Sequence, residues 1–149
     1  MARPPLDRLT TFYKLVEKRV TAGVLCREAL DAELSARAAT QAEALFGGDS
    51  LVVADVQYCE SESLALLASE ASGAEKETLL TRSWAVLLSL TNLLLRRLAD
   101  NTLLPGTIRE EELDYEVYAQ TVAFKAKNEP PPPPCTACLG VYNGIPHAA

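Results

Sequence analysis

Over residues 80–98 the sequence leaves a helix very little polar surface. Leu80, Trp84, Leu87, Leu88, Thr91, Leu94, Leu95 and Leu98 recur at spacings of three and four, which gathers them into one continuous stripe. Ala85, Val86, Leu90 and Leu93 make the other side apolar as well. A helix that is apolar nearly all round is packed on more than one face, so this helix is expected at the centre of the fold. The longest apolar run, residues 84–95, contains Ser89, Thr91 and Asn92. It falls short of the ~20 apolar residues that span a bilayer. A buried core helix is therefore expected and a membrane segment is not.

The flanks of this run carry helix signals. Ser72-Gly73-Ala74-Glu75 has the S-x-x-E spacing of a capping box, in which the serine oxygen and the glutamate each satisfy a first-turn amide. Arg96 and Arg97 fall near the other end, where positive charge complements the helix dipole, and read as a solvated helix end. Pro105-Gly106 is a turn signal. Thr107-Ile108-Arg109-Glu110 is a second capping box, and Glu110, Glu111, Glu112 and Asp114 load the first turns of a helix running to about Lys127, where negative charge is favourable. Tyr115, Tyr118 and Val122 share one face of it.

The first half of the chain reads the same way. A helix starts near Pro5, with Leu6, Leu9, Tyr13 and Val16 on one face. Gly23 is expected to divide this run, because glycine costs about 1 kcal/mol in a helix interior. Leu30, Leu34, Ala38, Ala42 and Leu45 continue a face with small residues, which let helix backbones approach closely. Gly47-Gly48 stops it, and Asp49 or Ser50 caps a helix from about residue 51 to 71. Its apolar side is Val52, Val53, Val56, Leu64 and Leu67, and Glu60, Glu62 and Glu70 are polar.

The expected fold is all-α: an antiparallel helical bundle or a short helical-hairpin array of four to five helices, over residues 1–128. Residues 50–101 are similar in general style to tetratricopeptide-like helix pairs. No second copy follows at a fixed period, and the helices exceed what a 34-residue repeat permits, so no family is assigned. The chain changes character at residue 129. Pro130 to Pro134 are five consecutive prolines, which form an extended polyproline rod. The fifteen residues after it are too few for a core. Residues 129–149 are thus expected to be a linker followed by a short disordered tail, a segment that docks, or the start of a longer module.

Charge and motif content narrow the function. The 149 residues carry a formal charge of −6, which argues against nucleic acid as a partner, since phosphate binding needs a basic surface. No Gly-rich nucleotide loop is present. The chain has one histidine, His147, so a nucleophile–histidine pair has little to draw on. The one local motif with chemistry is Cys135-Thr136-Ala137-Cys138. Two thiolates at this spacing meet one metal ion, and zinc sites usually repeat the pair. Here His147 is the available third ligand, and no second pair follows. Cys26 and Cys59 each read as a small buried hydrophobe. With no apolar leader at the N-terminus and no disulfide framework, an intracellular setting, cytoplasmic or nuclear, is expected.

The leading functional expectation is a non-enzymatic helical interaction or scaffold module that binds a protein partner or self-associates. A zinc-binding protein using Cys135, Cys138 and His147, including a truncated zinc module, is the alternative. An enzyme with a site between helices, using acids and Tyr115 and Tyr118, is the third. The proline rod is a spacer, or a ligand for an SH3 or WW domain. The zinc reading predicts stoichiometric zinc in the chain purified without chelator, lost when Cys135 and Cys138 are both replaced by serine. Elemental analysis giving no zinc in the wild type would refute it.

Overall fold

The computed structural model describes residues 6–25 and 32–128. These residues form five helices: α1 Leu6–Leu25, α2 Ala32–Phe46, α3 Leu51–Glu70, α4 Gly73–Ala99 and α5 Glu110–Asn128. No strand occurs among the described residues. The all-helical expectation holds. Residues 129–149, which include the five prolines, Cys135, Cys138 and His147, lie outside the described residues, as does Cys26.

The helix ends follow local chemistry. Ser50 caps α3 by accepting from the Val52 amide. Gly47, at φ +89°, ends α2 in a conformation that L side chains rarely adopt. Asn101, at φ +59°, ends α4: its amide donates to the Leu98 carbonyl, and the Thr102 amide donates to the Arg97 carbonyl. That pair of bonds is a Schellman motif with asparagine in the usual glycine position.

Three expected signals fall elsewhere. Gly23 does not divide the first run, because α1 continues through it to Leu25. Ser72 does occupy the N-cap of α4, but its side chain makes no capping bond. The second capping box is shifted by two residues. Glu112, not Glu110, reaches back, and it accepts from the Arg109 amide at 3.2 Å. The Thr107 hydroxyl donates instead to the Leu104 carbonyl.

α3 and α4 form an antiparallel hairpin. Arg97 bonds the Asp49 carbonyl, Gln57 bonds Ser89, and the Ser83 hydroxyl donates to the Ser61 carbonyl. As the residue number rises on one helix it falls on the other. α3 also packs on α2 and α5, and α1 packs on α2 and α5. The four helices α3, α2, α1 and α5 thus close a ring of contacts, and α4 lies outside it against α3.

The core sits inside that ring. Phe12, Val16, Ala38, Ala42, Val52, Val53 and Val56 are buried in it, and Tyr115 and Leu93 join from α5 and α4. Phe12 is its aromatic hub, 5.5 Å from the Phe46 ring and 6.1 Å from the Tyr115 ring, within the range of favourable ring contacts. Leu6 was expected on the buried face and is exposed.

The central position belongs to α3, and this corrects the placement of α4. Only Ser83, Leu90, Leu93 and Arg97 of α4 are buried. Two residues, Ala71 and Ser72, separate α3 from α4, and so short a link forces α4 down the side of α3. The remaining faces of α3 are occupied by α2 and α5.

One ion pair fastens this arrangement. Arg97 and Glu112 are 2% and 1% exposed and meet at 2.7 Å. Arg97 donates five hydrogen bonds: two to the Glu112 carboxylate, one each to the Asp49 and Thr102 carbonyls, and one to the Thr102 hydroxyl. Glu112 also accepts from the Leu51 and Arg109 amides. Burial alone would raise the Glu112 carboxyl, but the bonds from Arg97 and the two amides outweigh it and hold it below its ordinary value. Arg97 is thus no solvated helix end; only Arg96 is exposed.

Removing one member of a buried pair strands the other, at a cost of about 3–5 kcal/mol. Arg97→Ala and Glu112→Gln should each lower stability by that order, read by urea unfolding. The acid dependence has a definite sign. Glu112 has a depressed folded-state pKa, so its contribution is complete above the unfolded value of about 4.3 and fades as pH falls through the folded one. Glu112→Gln should flatten that acid-side loss. An equal acid slope in variant and wild type would contradict this.

Candidate functional site

Among the described residues, exposed large apolar side chains gather on the outer face of α4, with a shorter set, Leu113, Val117 and Phe124, on α5. Trp84 is 74% exposed, and Leu88, Leu95 and Leu98 are each more than half exposed, with Leu80 close behind. These residues sit where the sequence places a single stripe, at 84, 88, 91, 95 and 98. Alternating steps of four and three make a repeat of 3.5, the seam spacing of a helix that pairs with another helix. The packed side of the same helix, Ser83, Leu90, Leu93 and Arg97, faces α3. Polar residues cover only the remaining arc, through Arg82, Ser89, Asn92 and Arg96.

Single exposed leucines are ordinary, whereas a contiguous apolar patch larger than a few hundred Å² marks an interaction site. The five exposed side chains alone present on the order of 500 Å². α4 is also long and apolar enough, by length and composition, to cross a membrane; its most apolar 18-residue window has a mean hydropathy of 1.3 and is 17% buried.

The polar clusters inside the ring bind one another. A cleft of about 290 Å³ between α3 and α5 is lined by Leu51, Asp55, Ile108, Glu112, Tyr115 and Glu116, among others. The Tyr115 hydroxyl donates to Asp55 at 2.6 Å. Burial, then the Asp55 charge, pushes this phenol above its ordinary range, so it remains a hydrogen-bond donor. Arg19 lies 3.9 Å from the same carboxylate. Cys59 is half-buried beside them, and burial pushes its thiol up to about 11. A thiol raised in this way is a poor nucleophile.

Tyr118 does not join Tyr115 in the cleft. Its hydroxyl donates to the Tyr13 carbonyl, and its ring packs 4.5 Å from the Tyr13 ring. The two tyrosines singled out for catalysis thus serve separate α5–α3 and α5–α1 contacts. At the rim, Arg109 donates to Asp49 at 2.7 Å and holds that carboxyl below its usual range. Among the described residues no group of three or more His, Cys, Asp or Glu side chains could hold a metal ion. The proposed zinc ligands Cys135, Cys138 and His147 lie outside the described residues.

Sequence reasoning found the residues of the α4 stripe but assigned them to the core. It passed over Phe12 and Asp55, took Arg97 for a solvated helix end, and read Glu112 as a first-turn capping charge without its partner Arg97. Compared with known proteins, the chain matches no family model, no curated protein and no solved structure.

The two sides of α4 and its partner α3 should respond differently to truncation. Leu88→Ala and Leu95→Ala should change unfolding free energy by no more than about 0.5 kcal/mol, as surface substitutions do. Leu93→Ala and Leu64→Ala, at 2% and 0% exposure, should cost about 2–5 kcal/mol. Equal losses at Leu88 and Leu93 would show that the outer face is packed.

Proposed function

We propose that this chain is a non-enzymatic helical interaction module. α4 is laid against α3 on the outside of a ring of helices, which fixes α4 in place and turns its apolar face outward for another protein. The observation that carries this reading is the contiguous exposure of Trp84, Leu88, Leu95 and Leu98. Their burial on association would supply the hydrophobic driving force that folding leaves unused. The interior polar groups favour the same reading. Arg97 and Glu112 fasten helix ends, and Tyr115 and Asp55 are bonded to each other.

The experiment compares wild type with the double variant Leu88→Glu, Leu95→Glu. The variant should keep its helical circular dichroism and, at concentrations where the wild type is monomeric, its melting temperature. It should lose the associations of the wild type, scored by cross-linking and partner capture performed in parallel. A variant that retains every association would refute the α4 face as the binding surface. A variant that unfolds would show the face to be part of the core.

A further inference from the structure

We infer that the occupant of the α4 face is the α4 face of a second copy of this chain. The inference rests on the interaction-module reading and names its partner. The seam at 84, 88, 91, 95 and 98 has the 3.5-residue repeat with which one helix packs knobs-into-holes on another, and a symmetric pair uses the same patch on both chains.

The flanks of the seam favour a copy over a different protein. Helix pairs choose partners through charges beside the seam. Here the flanking positions are Leu80, Leu87 and Leu94 on one side and Ala85, Asn92 and Ala99 on the other, and no charged residue occurs over residues 83–95. Nothing there repels an identical helix, and nothing there selects an oppositely charged one. Leu87 and Leu94 are half-buried against the chain's own helices, so the apolar surface runs from the seam into the hairpin without a polar break.

The area approaches what a pair needs. A stable pair needs about 800 Å² from each partner. The five exposed side chains present on the order of 500 Å², and the partly exposed flanks at Ala85, Leu87, Thr91, Asn92 and Leu94 extend that toward the required size. A lipid surface is disfavoured by charge: anionic headgroups would meet a chain of formal charge −6.

Sedimentation equilibrium on the full chain tests this across a concentration series. The mass should rise from 16.1 kDa toward twice that value. Leu88→Glu should weaken the association at least a hundredfold with helicity unchanged. Because the seam is uncharged and the two bodies are both acidic, added salt should strengthen the pair by screening their repulsion. Association that weakens with salt would point to ion pairing elsewhere and overturn the proposal. So would a chain that stays at 16.1 kDa at every concentration.

Two further outcomes separate the occupant from the reading beneath it. A monomer that co-sediments with neutral phosphatidylcholine vesicles, and loses that with Leu88→Glu, would overturn the second copy while keeping the face as a docking surface. A wild-type dimer left intact by Leu88→Glu would place the interface on another face and overturn both.

Discussion

The contact between Arg97 and Glu112 organises this molecule. Glu112 is on the first turn of α5, Arg97 is on the last turn of α4, and the groups they share, the Asp49 carbonyl and the Leu51 amide, are at the start of α3. Three helix ends meet at one buried ion pair. Each helix end brings backbone groups with no partner inside its own helix, and the pair satisfies several of them at once. Two isolated buried charges would be costly; here the desolvation is offset by five bonds from the guanidinium and two amides on the carboxylate.

That junction sets where α4 can go. The two-residue link at one end and the Arg97 clamp at the other pin α4 along α3 over its whole length. The aromatic cluster around Phe12 fills the space enclosed by α1, α2, α3 and α5, and among the described residues no helix covers the outer face of α4. The proposed function is a consequence of this geometry. A helix whose sequence asks for burial on two sides is held by the fold on one.

The helical class, a count of four to five helices and most helix ends were legible in the sequence, because they depend on local chemistry. The Gly47-Gly48 stop, the Ser50 cap and the apolar spacing of α2 are decided within a few residues. Periodicity showed which faces of α4 are apolar. It could not show what covers them, because that depends on which neighbours reach α4 and which are already engaged. The pairing of Arg97 with Glu112 was missed for a similar reason. Charges at helix ends are usually solvated, and their pairing across fifteen residues depends on the turn at Asn101 and Thr102, whose left-handed residue is not a glycine. The second capping box failed by two residues because two overlapping patterns, at 107–110 and 109–112, compete for the same turn, and the burial of Glu112 decided between them.

The central claim is that the outer face of α4 is free in the single chain and available to a partner. The chain has one tryptophan, and it opens the seam of that face as its most exposed apolar side chain, so its fluorescence reads the claim directly. In dilute solution Trp84 should emit at the long wavelength of a water-exposed indole and be quenched freely by acrylamide. A short-wavelength emission resistant to quenching under the same dilute conditions would mean that the face is already covered by the chain itself, and the account would be wrong.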